Sequence, residues 1–475
     1  MTEQVHADQE PRDAEVVEVE LTDIAKDGPV VGRVDGRAVF ARHGAPGERV
    51  RVRLDPHKPK ARWLAGDVIE VLSASEHRVP HVWPQADVLL HGPDEVPGGA
   101  EFGHLELAYQ RELKGRILEG QLSRLAGIDA ADLGFTGVEP ALEESADGLH
   151  WRTRSAFGVD AGGRLAMRAR ASHRMIPTPE FPLAVAAVDR LGLGDLDLSG
   201  LERVEVAVPT QGQALVLLVP ETRTSAPRQA RGRRGRGPRP VSAPTRTGLA
   251  AVERVAASLP DGVAVASLVQ TGGAAADGAG SLTPLRGATD LIERVEGFDF
   301  RVTGEGFWQV HRSAPVTLTR AVLDAVGAEQ GQAVADLYGG AGLFSVPLAQ
   351  AVTGSGKLVS IEGAPGTHRD AEYNLRRFPQ ATAVQGRVER VLETDAEKYN
   401  AVVLDPPRAG AGVRAVSAIA ASGTDTVVYV ACDPAALAKD AARLAEAGYR
   451  MSRIRGFDLY PHTHHLESVA VFTKA

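Results

Sequence analysis

Cys432 is the only cysteine among 475 residues, and it stands where a thiol can do chemistry. It closes the apolar run Val427-Val428-Tyr429-Val430-Ala431 and is followed by Asp433-Pro434, a pair that opens helices. A free cysteine is more often a small buried packing residue than a nucleophile. At the carboxyl end of a strand, though, it meets the edge where open α/β sheets place ligands. The amides and dipole of the following helix turn favour the thiolate there. Further along, His462-Thr463-His464-His465-Leu466-Glu467 brings a carboxylate, Glu467, just ahead of a strand-like run from Ser468 to Phe472. By itself Glu467 could equally be a surface carboxylate. The three histidines raise the question of a metal. No second cysteine exists and the spacing lacks His-x-x-x-His, so no metal site is expected.

A candidate cofactor loop precedes the cysteine. Asp336-Leu337-Tyr338-Gly339-Gly340-Ala341-Gly342 follows an apolar run, and glycines there let a ligand approach the backbone and a helix open. Glu362 ends the next apolar run, the place of a carboxylate that accepts from ribose hydroxyls. Leu343-Phe344 follows with no third glycine in register, which favours a cofactor lacking a pyrophosphate, such as S-adenosylmethionine, over a dinucleotide. Asp405-Pro406-Pro407-Arg408 ends another strand-like run. The prolines stiffen an extended turn, which either holds its flanking side chains over a pocket or is a rigid loop touching no ligand. Amino-group methylases place an aromatic after such an Asp-Pro-Pro, to stack on the base. Arg408 in that place argues against exocyclic-amine chemistry.

The elements that must carry these residues follow from the pattern. From about Gly304, apolar runs at 333–338, 358–362, 401–404 and 427–431, with a weaker one at 381–384, alternate with helical segments at 313–326, 367–378 and 434–447. That alternation predicts a doubly wound parallel sheet. Glu15 to Leu72 instead reads as five short strands with an Asp35-Gly36 hairpin signal, a small barrel. Arg49, Arg51, Arg53, Lys58, Lys60 and Arg62 cluster on it. Such a row is equally a nucleic-acid surface or a solvated edge strand. A Pro- and Gly-rich stretch and a helix from about Leu105 to Leu125 lead into a central α+β region with strands near 204–208 and 214–219. Arg223, Arg228, Arg231, Arg233, Arg234, Arg236, Arg239 and Arg246 interrupt that region. They sit among Gly, Pro and Ser without an acid, a composition that predicts disorder.

The boundaries are therefore a disordered tail at 1–14, a barrel at 15–75, and a linker helix with a central module at 76–303 containing a disordered insertion at 222–248. The catalytic sheet domain occupies 304–475. A net charge of −8 does not advertise nucleic-acid binding, so any RNA contact must come from local basic patches. No apolar stretch approaches the roughly 18 residues a membrane helix needs. The acidic, polar N-terminus lacks a signal peptide's features, and one cysteine forms no internal disulfide, so a cytoplasmic setting is expected.

Together these residues resemble the S-adenosylmethionine-dependent RNA 5-methyluridine (uracil-C5) methyltransferases. The likeness rests on Phe307-Trp308-Gln309-Val310, Asp336-Leu337-Tyr338-Gly339-Gly340, Asp405-Pro406-Pro407-Arg408-Ala409-Gly410, Ala431-Cys432-Asp433-Pro434-Ala435 and Thr463-His464-His465-Leu466-Glu467, which occur in family order. The barrel resembles the TRAM module. The resemblance implies cofactor binding by Gln309, Tyr338, Glu362 and Asp405, a Cys432 nucleophile and a Glu467 base. Uracil C5 is too weak a nucleophile to attack a sulfonium methyl unless a thiolate first adds at C6. The TRAM-like barrel points to ribosomal over transfer RNA. The cytosine-C5 enzymes, which resemble a two-cysteine pattern, are disfavoured by the single cysteine. The chain departs from the family at His311, Leu343 and Asp433. Those departures leave a second reading, a non-catalytic RNA-binding or folding factor on the same fold, against which the intact Cys432 and Glu467 speak. Pro97-Gly98-Gly99-Ala100 resembles a Cys-Gly-Gly-Cys segment that holds an iron–sulfur centre in some members. With both cysteines replaced, no cluster is expected.

Overall fold

The computed structural model describes residues 15–58, 61–169, 174–223, 243–270, 280–395 and 397–475. The tail at 1–14, Lys60, and most of the Arg-rich insertion lie outside the described residues. Two compact units divide the chain. One is Met1–Ile117 with Ala169–Ala171 and His462–His464, and the other is the remainder.

In the first unit, β1 (Val16–Ile24), β2 (Val30–Val34), β3 (Arg37–Arg42), β4 (Arg49–Leu54) and β5 (Trp63–Ser73) close into a barrel in the order β1-β2-β3-β5-β4. Period-2 alternation explains it: on β4, Val50, Val52 and Leu54 point into a core shared with Val19, Leu21, Val30, Val39, Leu64 and Val68. Arg49, Arg51 and Arg53 point outward, and each has a carboxylate. Arg49 meets Glu18 at 3.1 Å, Arg51 meets Glu70 at 2.7 Å and Arg53 meets Asp94 at 2.7 Å. Because the barrel closes, β4 is no edge strand, and these three cations are neutralised locally. Arg42 sits deeper, with Asp55 and Asp67 both at 2.6 Å. Burial works against its charge, but the hydrogen bonds and charges of Asp67 and Asp55 outweigh burial and hold its proton more tightly than usual.

The short α1 (Val88–His91) and then α2 (Leu107–Ala126) follow. Early in α2, Leu113 packs with Phe102, Leu105 and Tyr109, while Leu118 and Leu122 belong to the large core of the second unit. In the segment that resembles a cluster-binding loop, Ala100 is buried and its carbonyl lies 3.1 Å from His81 Nε2. Burial keeps His81, and still more His104, from taking a proton. Pro97, Ala100 and two burial-neutralised histidines do not fit an iron–sulfur cluster, which is held by thiolates.

Among the described residues the second unit holds two large sheets and two two-stranded ones. β6 (Val138–Pro140) belongs to the larger. The smaller comprises β7 (Arg154–Val159), β8 (Leu165–Arg168), β9 (Met175–Pro177), β10 (Leu201–Ala207) and β11 (Leu215–Pro220), with α3 (Ala186–Asp189) between β9 and β10. β12 (Thr222–Arg223) pairs antiparallel with β13 (Ala243–Pro244), and α4 (Arg246–Ser258) follows. The stretch expected to be disordered at 222–248 thus begins and ends in regular structure. β14 (Ala264–Gln270) and β15 (Gly280–Arg286) complete the seven-stranded order β15-β14-β11-β10-β7-β8-β9.

A hairpin, β16 (Asp290–Val295) and β17 (Phe298–Thr303), precedes α5 (Ala314–Val326). Then come β18 (Ala333–Leu337), α6 (Ser345–Ala351), β19 (Lys357–Glu362), α7 (Pro365–Leu375), β20 (Ala381–Gln385), α8 (Val388–Thr394), β21 (Ala401–Leu404), α9 (Gly412–Ala421), β22 (Thr426–Ala431), α10 (Pro434–Glu446), β23 (Tyr449–Asp458) and β24 (Glu467–Lys474). The sheet order is β20-β19-β18-β21-β22-β24-β23-β6, parallel from β20 to β22. Leu318, Val346, Leu348 and Leu375 of α5 to α7 cover one face through Val334, Val403 and Val428. Val416, Ile419, Leu437 and Leu444 of α9 and α10 cover the other through Leu337, Leu404 and Tyr429. Burial of each such side chain contributes about 1.5–3 kcal/mol, so the sheet is a rigid platform. The strand order reverses between β18 and β21, which makes their carboxyl ends the ligand crevice of such sheets.

Two features depart from the pattern in the sequence. β24 inserts antiparallel between β22 and β23, and β6, from the region assigned to the central module, joins β23 in parallel.

Candidate active site at the strand ends

Four strands deliver the chemistry-bearing residues to one edge. Asp336 is on β18, Glu362 ends β19, Asp405 follows β21 and Cys432 follows β22. The Asp405 amide donates to the Leu337 carbonyl at 3.3 Å, which ties the Asp-Pro-Pro turn to β18. In the adjoining antiparallel ladder Ala431 pairs with Ser468, and the Ser468 hydroxyl donates to the Ala431 carbonyl at 3.2 Å. That rung sets Cys432 and Glu467 side by side at the ends of neighbouring strands.

Glu467 is 4% exposed. Its Oε1 accepts from the Tyr460 hydroxyl at 3.3 Å, while Oε2 is buried with no hydrogen-bond partner among the described residues. Burial, then the charge of Asp405, hold the Glu467 carboxyl well above the usual carboxylate range; Tyr460 and Arg408 oppose them. Burial pushes Asp336 up to about 7, helped by the charge of Glu362 and opposed by a hydrogen bond from Ser345 at 2.5 Å. Asp405 rises for the same reasons, burial first and then the neighbouring Asp336.

Cys432 is half-buried, and burial together with Glu467 and Asp405 pushes its thiol up to about 12, with Arg408 opposing. This corrects the expectation of a helix-favoured thiolate. The N-cap of α10 is Asp433, whose carboxylate accepts from the Ala436 amide at 2.8 Å, and the carboxylates around the sulfur dominate its field.

The glycine-rich turn is built for close approach. Tyr338 and Gly340 take φ of +60° and +56°, and a Cβ placed on Gly340 would meet nothing within 4 Å. Glu362 braces the turn, its Oε2 accepting from the Gly340 amide at 2.9 Å and its Oε1 from the Ala364 amide at 2.6 Å. An open backbone face beside a strand-end carboxylate, with the buried Asp336 Oδ1 lacking a partner, fits a nucleoside-bearing cofactor. Gln309 is buried in the loop between β17 and α5, and no hydrogen bond among the described residues ties it to Cys432, Asp405 or Glu467.

The histidines scatter: His462 exchanges hydrogen bonds with Gln110 within the first unit, at 2.8 and 3.1 Å, whereas His465 faces the Arg408 guanidinium at 3.0 Å in the second. Among the described residues no group of three or more His, Cys, Asp or Glu could hold a metal ion. The sequence missed the aromatic rings packed beside the site. Trp151 stacks on His311 at 5.5 Å and meets Tyr460 edge-on at 6.1 Å. Burial pushes His311 down to about 4, so it is neutral near pH 7. Trp151 carries no motif of its own; Tyr460 lay beside the polar cluster and could have been flagged by position.

A family model described as TRAM domain matches residues 13–69, and one described as tRNA (Uracil-5-)-methyltransferase matches 374–475. The chain is 35% identical to an uncharacterized RNA methyltransferase of Streptomyces avermitilis, over 97% of this chain and 99% of that protein. It is 31% identical to the 23S rRNA (uracil(1939)-C(5))-methyltransferase RlmD of Chromohalobacter salexigens, over 95% and 88%. Among solved structures, the Pyrococcus abyssi tRNA (uracil-54, C5)-methyltransferase in complex with S-adenosyl-L-homocysteine shares the fold. Its TM-score is 0.67 at 20% identity, covering 96% of this chain and 100% of that one. The chain belongs to the RNA uracil-C5 methyltransferase family.

Proposed function

We propose that this protein methylates C5 of a uridine in ribosomal RNA, with S-adenosylmethionine as donor, Cys432 as nucleophile and Glu467 as base. The observation that carries the reading is the Ala431–Ser468 rung, which sets the lone thiol beside a buried carboxylate with one oxygen unpartnered. When bound, S-adenosylmethionine supplies an electrophilic methyl on a cationic sulfonium, whose charge also offsets the carboxylates that hold the Cys432 proton. Asp405, Glu362, Tyr338 and Gln309 are the residues assigned to hold it, the first three at the strand-end crevice.

Cys432 adds through its thiolate to C6 of uracil, forming an S–C bond and moving the ring electrons onto C5 and O4. C5 takes the methyl, whose bond to the sulfonium sulfur would break with its electron pair left on that sulfur as a neutral thioether. Glu467 Oε2 then takes the C5 proton, the C–H electrons restore the C5–C6 double bond, and the C6–S bond breaks to return the thiolate. A half-buried thiol is out of reach of a stacked base, so the target nucleotide must be unstacked. Ribosomal RNA is favoured because a relative at 31% identity is named as a 23S rRNA enzyme. The cytoplasm is then the expected compartment. No helix among the described residues is long and apolar enough to cross a membrane.

The test is tritium release from ribosomal RNA carrying 5-tritiated uridine, compared with transfer RNA treated alike. Release from ribosomal RNA alone is expected. Release from neither would favour the non-catalytic RNA-binding factor, and release from transfer RNA alone would overturn the substrate assignment. Glu467→Gln is expected to accumulate a denaturant-stable protein–RNA adduct, read as a band shifted on a gel. Normal turnover by that variant would remove Glu467 as the base.

A further inference from the structure

Tyr460 follows β23 and lies between two rings. Trp151 meets it at 6.1 Å with planes at 85°, and His465 at 5.8 Å with planes at 75°. Edge-to-face contacts on two sides hold a ring in one orientation. That orientation sends the hydroxyl to Glu467 Oε1, at 3.3 Å. Oε2 of the same carboxylate is buried and lacks a hydrogen-bond partner among the described residues.

We propose that Tyr460 is a positioning residue for proton removal: its hydroxyl holds Glu467 by Oε1, so that Oε2 faces the reacting carbon and is kept available as the acceptor. The inference rests on the reading of Glu467 as the base. A carboxylate with a single hydrogen bond has one oxygen defined and one oxygen free. The same bond favours the ionised form, against burial and the charge of Asp405, which favour the protonated one. A protonated Glu467 removes nothing, so the hydroxyl sets both the direction and the availability of the base.

The charged and titratable groups around this pair come from every neighbouring element. Asp405 and Arg408 approach from the end of β21, Cys432 from the end of β22, and Arg152 toward Tyr460 from the segment before β7. Arg408 opposes Asp405, and it also faces His465 at 3.0 Å. Among these groups Tyr460 alone makes a hydrogen bond to Glu467, so removing it leaves only through-space charge to hold the carboxylate ionised.

The test is single-turnover methylation by full-length Tyr460→Phe, which keeps the ring and loses the hydroxyl. Formation of the protein–RNA adduct should keep its wild-type rate. Adduct decay should slow about 10-fold, and the acid limb of the decay–pH profile should move up by about one pH unit, as loss of a hydrogen bond to a charged group implies. In a Glu467→Gln background the same substitution should add nothing, because Tyr460 acts through Glu467. A merely structural role would slow formation and decay alike and persist in that background. Wild-type decay and pH profile in Tyr460→Phe, with the adduct still trapped by Glu467→Gln, would overturn the role of Tyr460 and leave the base assignment standing. Normal decay in Glu467→Gln would overturn both.

Discussion

In the barrel, Arg42 lies between Asp55 and Asp67, each at 2.6 Å, so one partly buried cation is held by two anions. At the strand ends of the eight-stranded sheet, Asp336, Asp405 and Glu467 gather with Cys432 and leave acceptor oxygens without partners. The first arrangement spends its charges on the fold. The second keeps like charges close at an energetic cost that a bound ligand can relieve, which is how functional sites differ from structural ion pairs. The barrel cluster is partly exposed, with the Asp55 side chain at 43%, whereas Asp336 and Glu467 are buried, and the partners differ as well.

Four substitutions sharpen or break that contrast. The largest effect is expected at Cys432→Ala, which should lower methylation at least about 10³-fold while leaving thermal stability within about 0.5 kcal/mol of wild type. A stability loss comparable to that of a core truncation would mean the thiol is a packing residue. Next is Arg42→Ala, which leaves two partly exposed carboxylates without their cation and should cost about 1.5 kcal/mol by denaturant unfolding, with catalysis per folded molecule unchanged. An effect within error would show that the barrel pair is no more than a surface ion pair.

Third, Asp336 and Asp405 have folded-state affinities for protons raised above their unfolded values. The stability they contribute is fully present below about pH 4 and is lost as pH rises through about 7. Asp405→Asn should therefore stabilise the ligand-free protein by about 2 kcal/mol at pH 8 and by nothing measurable at pH 4, while weakening cofactor binding. A pH-independent change would remove the like-charge account. The smallest effect belongs to Arg51→Ala, whose exposed pair with Glu70 should be worth less than about 0.5 kcal/mol.

Much of this was legible in the sequence because periodicity follows from strand geometry. The runs that became β18, β19, β21 and β22 are apolar throughout because both faces are covered, and their polar terminators, Asp405 and Cys432, mark the ligand edge. The five barrel strands were legible for the complementary reason, one face in and one face out. What the sequence hid depends on partners distant in the chain. The row of arginines on β4 read as free charge because Glu18, Glu70 and Asp94 come from elsewhere. The thiol read as acidified because a helix follows it, whereas the opposing carboxylates arrive from β21 and β24. Three residues of β6 could not announce a partner more than three hundred positions away.

The placement of β24 between β22 and β23 has a consequence for synthesis. A nascent chain translated as far as residue 460 would own its sulfur but not its carboxylate, and β23 would have no neighbour through which to reach β22. The sheet is continuous from β22 to β23 only once residues 467–474 are in the gap. That insertion brings the carboxylate to the thiol in the same step, so a chain without it would hold the nucleophile but not the base that releases the adduct.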